Sequence, residues 1–223
     1  ARKVSLRDDR MVADLAVIDP ALADGTPPAQ TLASGLDAVT QVIEPYLSTR
    51  ATPFTDALSR PAIPMGLAAL VTLMERGEDA GARDRLAWVA HASGIALANA
   101  GLGAVHGLAG VLGGETGAAH GAICARLLPP VLDALDTALP VGGETRRRLA
   151  EVVAAIDAAV PGGAAGMPDW LARYGLPPLP ALTERTRIRI AEAARGASSM
   201  AASPVAFTTS DLVTMLRKAE APG

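Results

Sequence analysis

Apolar residues recur at every third or fourth position from residue 27 onward, which is the spacing of one face of an α-helix. The first such stripe consists of Leu32, Leu36, Val39, Ile43 and Leu47. We predict that Thr26 caps the start of this helix, because threonine accepts backbone hydrogen bonds there, and that Pro27 and Pro28 occupy its first positions. The pattern therefore predicts a long helix with one buried face at the start of a helical domain.

The same spacing, interrupted by glycine and proline, predicts further helices along the rest of the chain. Two of them contain internal prolines, Pro61 and Pro64 in one and Pro129 and Pro130 in another, where we expect a kink or a break. Ser210 is the predicted cap of the last helix. The predicted ranges are 52–76, 79–102, 120–138, 144–159, 167–174, 182–195 and 210–219.

Residues 1–22 differ from this pattern. They contain two short apolar stretches in a charged context, at positions 4–6 and 15–18, which we predict to be extended. Two short strands form a poor sheet by themselves, so we expect them to lie at the edge of a domain that this chain does not contain. The predicted organisation is an extended segment at 1–22 followed by one all-α domain at 23–223.

Composition supports the helical prediction. Half of the 223 residues are hydrophobic but only 3% are aromatic, so the core must consist mainly of alanine, leucine, valine and isoleucine. Such a core suits closely packed helices better than a β-sandwich. The net charge of −3 provides no basic surface for nucleic acid. The single cysteine, Cys124, excludes an internal disulfide and favours a reducing compartment.

A membrane segment is the alternative for residues 86–114, which contain no charged side chain and are long enough to span a bilayer. His91, Asn99, His106 and several glycines argue against it, because polar groups are costly in lipid. The charged N-terminal sequence also lacks the apolar region of a signal peptide. We therefore predict a buried helix followed by a loop, in a cytoplasmic protein without a membrane span.

Two histidines, His106 and His120, stand fourteen residues apart across a glycine-rich stretch that we predict to be a loop. Asp37 and Gln41 lie four residues apart and therefore on the same face of the first helix. One carboxylate and two imidazoles form a common ligand set for a divalent first-row metal, and Gln41 could add a neutral oxygen or bind a water.

The spacing alone leaves other interpretations open. Two histidines fourteen residues apart match no dedicated metal motif, and a buried histidine can be a hydrogen-bonded core residue. Asp37 could pair with an arginine. Cys124 follows His120 by one helical turn, and we interpret it as a small buried residue rather than a thiolate.

Four sequence blocks resemble those of the iron-containing (group III) alcohol dehydrogenases, in the same order along the chain. They are ASGLDAVTQVIEPYLSTRATPFTDAL at 33–58, GLGAVHGLAGVLGG at 101–114, AHGAICARLLP at 119–129 and ASSMAASPVAFTTSDLVTML at 197–216. The resemblance extends from about Asp19 to the C-terminus. It implies the helical, dehydroquinate synthase-like C-terminal domain of that family, which follows an α/β domain that binds NAD(P).

The resemblance also implies a ligand set. Asp37, His106 and His120 match metal ligands of the family, and Gln41 occupies the place of a ligand histidine. Gly110 occupies the place of a second histidine that contacts substrate or cofactor in many members. The implied metal is Fe²⁺, with Zn²⁺ or Ni²⁺ as alternatives.

The function implied by the resemblance is NAD(P)-linked oxidation of an alcohol or reduction of an aldehyde or ketone, with the metal polarising the substrate oxygen. The implied partners are a small alcohol or aldehyde, a nucleotide-binding domain and further copies of the chain. The alternative is a metal-poor or non-catalytic helical domain, similar to those of glycerol dehydrogenase or dehydroquinate synthase, that shapes a substrate pocket or mediates assembly.

Overall fold

The computed structural model describes residues 8–11, 13–176 and 178–220, and it contains helices but no strand within these ranges. The predicted all-α class is confirmed. The α-helices are α1 (Pro28–Leu47), α2 (Pro53–Arg76), α3 (Ala80–Ala100), α4 (Ala104–Thr116), α5 (His120–Ala138), α6 (Glu144–Ala159), α7 (Gly163–Arg173), α8 (Glu184–Arg195) and α9 (Thr209–Glu220). Short 3-10 helices occupy Asp9–Met11, Pro20–Ala23 and Ser198–Ala202.

Helix α1 lies at the centre of the fold. It packs against α2, α3, α5 and α6, so side chains on several of its faces are buried. Leu32, Leu36, Val39 and Ile43 from the predicted stripe are inaccessible to solvent, and Val42 on a different face is also inaccessible. Polar side chains carried by this helix are therefore held in a rigid and largely apolar setting.

The prolines inside α2 and α5 do not divide these helices, so of the predicted alternatives, a kink or a break, the break does not occur. Pro61 and Pro64 both lie on the solvent side of α2, where carbonyl groups left without a helical partner can bind water. The start of α2 is secured by a reciprocal capping box between Thr52 and Thr55. In α5, the helix continues through Pro129 and Pro130 with most of its length buried.

Residues 104–116, within the predicted glycine-rich loop, instead form helix α4. Each glycine disfavours a helix by about 1 kcal/mol relative to alanine, but tertiary packing can outweigh this propensity. A Cβ at Gly107 would lie 2.7 Å from Met200 Cε, so the absence of a side chain permits close packing there. Leu108, Ala109 and Leu112 of the same helix are fully buried.

Two predicted caps are wrong. Helix α1 begins after Pro27 without a side-chain cap, and the carbonyl of Thr26 instead accepts a hydrogen bond from the Thr31 hydroxyl. Ser210 lies inside α9, and the hydroxyl of Thr208 accepts the Asp211 backbone N–H at 3.2 Å. Both errors are shifts of one or two residues at a helix end, where neighbouring polar residues compete for the same role.

The N-terminal segment contains neither helix nor strand at 15–18, and its apolar side chains are exposed there. The other stretch predicted to be extended, 4–6, lies outside the described residues. The proposed division into a segment at 1–22 and a domain at 23–223 stays a prediction.

By length and composition alone, α2 is the one single helix among the described residues that could cross a membrane. Half of its most apolar window is buried inside the fold. The uncharged stretch 86–114 is divided between α3 and α4, whose axes are bent by 102°. The pairs α3–α4 and α6–α7 would each add a candidate if counted as one span.

The contact between α1 and α5 provides a test of the packing. Gly121 of α5 lies so close to α1 that an added Cβ would be 2.7 Å from the carbonyl carbon of Ala33. We expect Gly121→Ala to lower the free energy of unfolding by about 1–3 kcal/mol, because the helix backbones must separate. Gly94→Ala, at an exposed position of α3 with open space, should raise it by about 1 kcal/mol. Urea unfolding of both variants checks this, and equal stabilisation would contradict the described contact.

Candidate metal centre

Four side chains with metal-binding chemistry converge where α1, α4 and α5 meet. Asp37 comes from α1, His106 from α4, and His120 and Cys124 from successive turns of α5. One potential ligand atom from each residue lies within 4.8 Å of the other three. The structure thus brings together three of the predicted ligands and adds Cys124, which we had interpreted as a packing residue.

The oxygen and nitrogen donors are spaced as ligands of one ion would be. Asp37 Oδ1 is 3.1 Å from His106 Nε2 and 3.7 Å from His120 Nε2. Two ligand atoms at about 2.1 Å from a tetrahedral ion are separated by about 3.4 Å. The imidazole rings are 5.5 Å apart between centroids and inclined at 57°, so both can present a nitrogen to the same point. The donor set therefore fits a divalent metal.

His106 is oriented by Glu44, a residue that was not predicted to belong to the site. Glu44 Oε2 lies 2.6 Å from His106 Nδ1, and its Oε1 accepts the Val105 backbone N–H at 2.7 Å. Both side chains are buried. Because Nδ1–H donates to Glu44, Nε2 of a neutral His106 carries the lone pair that faces Asp37 and His120. The sequence signal was a carboxylate one helical turn beyond Gln41 on a buried helix.

Gln41 adjoins the cluster through Asp37. Its Nε2 donates to Asp37 Oδ2 at 3.2 Å, and its Oε1 lies 3.0 Å from the Ser93 hydroxyl on α3. This arrangement holds the second oxygen of Asp37 and leaves Oδ1 directed toward the imidazoles. The amide thus orients the carboxylate in the described structure, and its role as a ligand stays a prediction.

Gly110 lies one turn after His106 on α4, and a Cβ there would meet no atom within 4 Å. The position where many family members carry a second histidine is therefore open space in this chain. The third histidine, His91, is exposed on α3 and is not part of the cluster. The imidazoles of the cluster are those of His106 and His120.

The charges of the cluster shift several pKa values. Burial lowers the pKa of His106, but the charge of Glu44 and the hydrogen bond with Asp37 outweigh this effect and raise it well above 6.5. Burial raises the pKa of Asp37, but its interactions with the two imidazoles hold it below 3.8. Burial raises the pKa of the Cys124 thiol to about 12. Without a metal, a proton on His106 therefore lies between two carboxylates.

Comparison with known proteins identifies the family to which the chain belongs. Residues 31–165, more than half of the chain, match the C-terminal domain of the Fe-containing alcohol dehydrogenase family. The chain belongs to the iron-containing alcohol dehydrogenase family. This confirms the resemblance found in the four sequence blocks, and the matched range includes Asp37, His106 and His120.

Individual relatives cover different lengths. Alcohol dehydrogenase 4 of Saccharomyces cerevisiae is 41% identical over 132 residues, which are 59% of this chain and 35% of the yeast protein. A 1-propanol dehydrogenase of Salmonella typhimurium is 33% identical over 149 residues, 67% of this chain and 40% of that enzyme. The iron-containing alcohol dehydrogenase of Thermococcus thioreducens superposes with a TM-score of 0.77 at 26% identity, over 96% of this chain and 56% of that one. The chain thus spans less than two thirds of these relatives.

The raised pKa of His106 predicts how the stability of the metal-free protein depends on pH. Its contribution is complete below 6.5, the usual histidine value that applies to the unfolded chain, and is lost as the pH rises through the higher folded pKa. We therefore expect the free energy of unfolding to decrease above pH 6.5. Urea unfolding of metal-depleted protein between pH 6 and pH 9 measures this decrease.

The variant Glu44→Gln tests whether Glu44 causes the raised pKa of His106. Removing one partner of a buried ion pair should lower the free energy of unfolding by about 3 kcal/mol at pH 6 and less at higher pH. Glu75→Gln, an exposed change of the same kind on α2, should leave the pH profile unaltered. Parallel profiles for wild type and Glu44→Gln would show that Glu44 does not raise the pKa of His106.

Proposed function

We propose that this chain is the metal-binding helical part of an alcohol dehydrogenase. The reaction is the transfer of a hydride from an alcohol to NAD(P)⁺, with release of a proton, and its reverse on an aldehyde or ketone. The observation that supports the proposal most directly is the convergence of Asp37, His106 and His120 within a chain of this family. A metal bound there supplies a Lewis acid that polarises the substrate oxygen.

Some residues of this chain would bind that ion directly, and others orient the residues that bind it. Asp37 supplies a negatively charged oxygen, and His106 and His120 supply neutral nitrogens, so the three donors reduce the positive charge of the ion only in part. Glu44 fixes the ring of His106, and Gln41 fixes the carboxylate of Asp37. These contacts place the donors before the ion binds, which reduces the entropy lost on binding.

The remaining components belong to the proposal as well. The relatives are named as alcohol dehydrogenases, including one for 1-propanol, which supports a small primary alcohol as the substrate. Because this chain covers less than half of each of these two relatives, we propose that NAD(P) binds mainly to a separate α/β domain. We also propose that the protein forms a homo-oligomer and is located in the cytoplasm. Fe²⁺, Zn²⁺ and Ni²⁺ all suit a site of imidazole and carboxylate donors.

A second function is favoured by two departures from the family pattern. Gln41 replaces an imidazole with a weaker donor, and Gly110 leaves open space in place of another. A metal-poor domain that shapes a substrate pocket or mediates assembly, as in glycerol dehydrogenase-like or dehydroquinate synthase-like proteins, would tolerate both changes. Metal binding distinguishes the two functions.

Asp37→Asn tests the proposed function. The substitution keeps the shape of the side chain but removes its charge, so we expect about a hundredfold loss of metal affinity in the purified chain, and a similar loss of NAD(P)-dependent 1-propanol oxidation in a protein that joins the chain to its nucleotide-binding domain. Asp84→Asn, an exposed change on α3, should alter neither. Affinity is measured by calorimetric titration of metal-depleted protein with Zn²⁺ and Fe²⁺. If wild type binds neither ion, the metal-dependent function is wrong and the metal-poor alternative stands.

Position 41 offers a gain-of-affinity test. Gln41 already contacts Asp37, so Gln41→His places an imidazole beside the donors and should tighten metal binding about tenfold or more, equivalent to about 1.4 kcal/mol. Gln30→His makes the same change at an exposed position of α1 and should have no effect. Equal affinities for the two variants would show that the side chain at 41 does not reach the metal.

A further inference from the structure

We infer that Cys124 is a metal ligand in this chain and that its sulfur gives the site a preference for thiophilic ions such as Zn²⁺ over Fe²⁺. The inference rests on the proposed function, because it adds a donor to the metal site formed by Asp37, His106 and His120. It replaces our interpretation of Cys124 as a packing residue. It also favours Zn²⁺, which the family resemblance gave only as an alternative to Fe²⁺.

The position of the sulfur carries the inference. Cys124 Sγ lies 3.7 Å from His120 Nε2 and 3.9 Å from His106 Nε2. A tetrahedral ion with ligands at about 2.05 Å for nitrogen and about 2.3 Å for sulfur separates these atoms by about 3.6 Å. The observed distances differ from this value by a few tenths of an ångström, which side-chain rotation can absorb. The sulfur therefore supplies a fourth donor, and the ion would take the substrate oxygen as a fifth ligand.

The surroundings of Cys124 differ from those of a cysteine that only fills space. The residue is inaccessible to solvent, yet its sulfur faces the two imidazoles of the site. Asp37 is a further polar neighbour, with a carboxylate oxygen within 4.8 Å of the sulfur. The thiol thus contacts the two imidazoles and lies close to the carboxylate. A helical spacing of four residues from His120 places both side chains on the same face of α5.

The role of Gln41 explains why a further donor is needed. Gln41 stands where the family has a ligand histidine, and its amide is engaged by Asp37 and Ser93. A carboxamide is also a weak ligand for first-row metals compared with imidazole or thiolate. Cys124 on α5 therefore supplies the fourth donor in place of the imidazole that α1 lacks.

The donor chemistry determines the choice of metal. Thiolate is a soft ligand that favours Zn²⁺, whereas imidazole and carboxylate alone accommodate iron equally well. Within the donor set, the thiolate and the Asp37 carboxylate carry two negative charges, which equal the charge of a divalent ion in size. A site with one sulfur, two nitrogens and one oxygen thus differs in selectivity from one with nitrogens and oxygens only.

The test uses Co²⁺ as a spectroscopic substitute for Zn²⁺. Titration of the purified, metal-depleted protein should produce a near-ultraviolet sulfur-to-cobalt charge-transfer band together with intense visible bands of tetrahedral Co²⁺. Cys124 is the only cysteine, so no other thiolate of the chain can give this band. In Cys124→Ser and Cys124→Ala the band should disappear, and the Zn²⁺ affinity should fall at least tenfold while the Fe²⁺ affinity changes less. Circular dichroism of both metal-free variants checks that they fold.

The outcomes of these measurements distinguish failure of the inference from failure of the proposed function. If Co²⁺ binds without the charge-transfer band, or if Cys124→Ser binds Zn²⁺ as tightly as wild type, the inference is wrong while the metal site of the proposed function stands. If wild type binds Fe²⁺ but neither Co²⁺ nor Zn²⁺, the inference is wrong and the proposed function stands, and if it binds none of the three ions, both are wrong. Loss of the band in Cys124→Ser, together with loss of all metal binding in Asp37→Asn, supports both.

Discussion

The buried contact between Glu44 and His106 is the interaction on which the site depends. It joins the central helix to the first turn of α4, because Glu44 also accepts the Val105 N–H that has no partner within its own helix. Glycine at the N-cap of α4 permits the close approach, since a Cβ at Gly103 would lie 2.9 Å from Glu44 Oε1. The Glu44 carboxylate thus caps the start of α4, orients the imidazole of His106 and lies against the glycine that precedes the helix.

Most helices could be predicted from the sequence because their apolar spacing and their capping residues agree. Helix α6 has the predicted bounds, and Thr52 and Asp79 cap the helices that follow them. Helix α4 could not be predicted in this way, because its glycines lower local helix propensity and its stability comes from contacts with distant residues such as Met200. Local patterns cannot reveal a stabilisation that depends on segments nearly a hundred residues away.

The residues of the site also divide into those that the sequence predicts and those that only the packing reveals. Asp37, His106 and His120 could be predicted because carboxylate and imidazole are typical ligands and their positions match the family blocks. Cys124 and Glu44 lie in equally apolar sequence, and their chemistry depends on which side chains face them. Only the packing of α1 against α4 and α5 shows that the sulfur faces two imidazoles and that the carboxylate faces one.

In the proposed metal site, a proton and a metal ion are alternative cations for the same anions. In the metal-free state the proton on His106 balances part of the charge of Glu44 and Asp37, so the fold does not require an ion to neutralise the cluster. A metal must displace this proton, so its apparent affinity increases with pH. The packing around α1 is compatible with Gln41 where the family resemblance implies a ligand histidine, because the burial of this helix rests on apolar side chains and not on the residue at position 41.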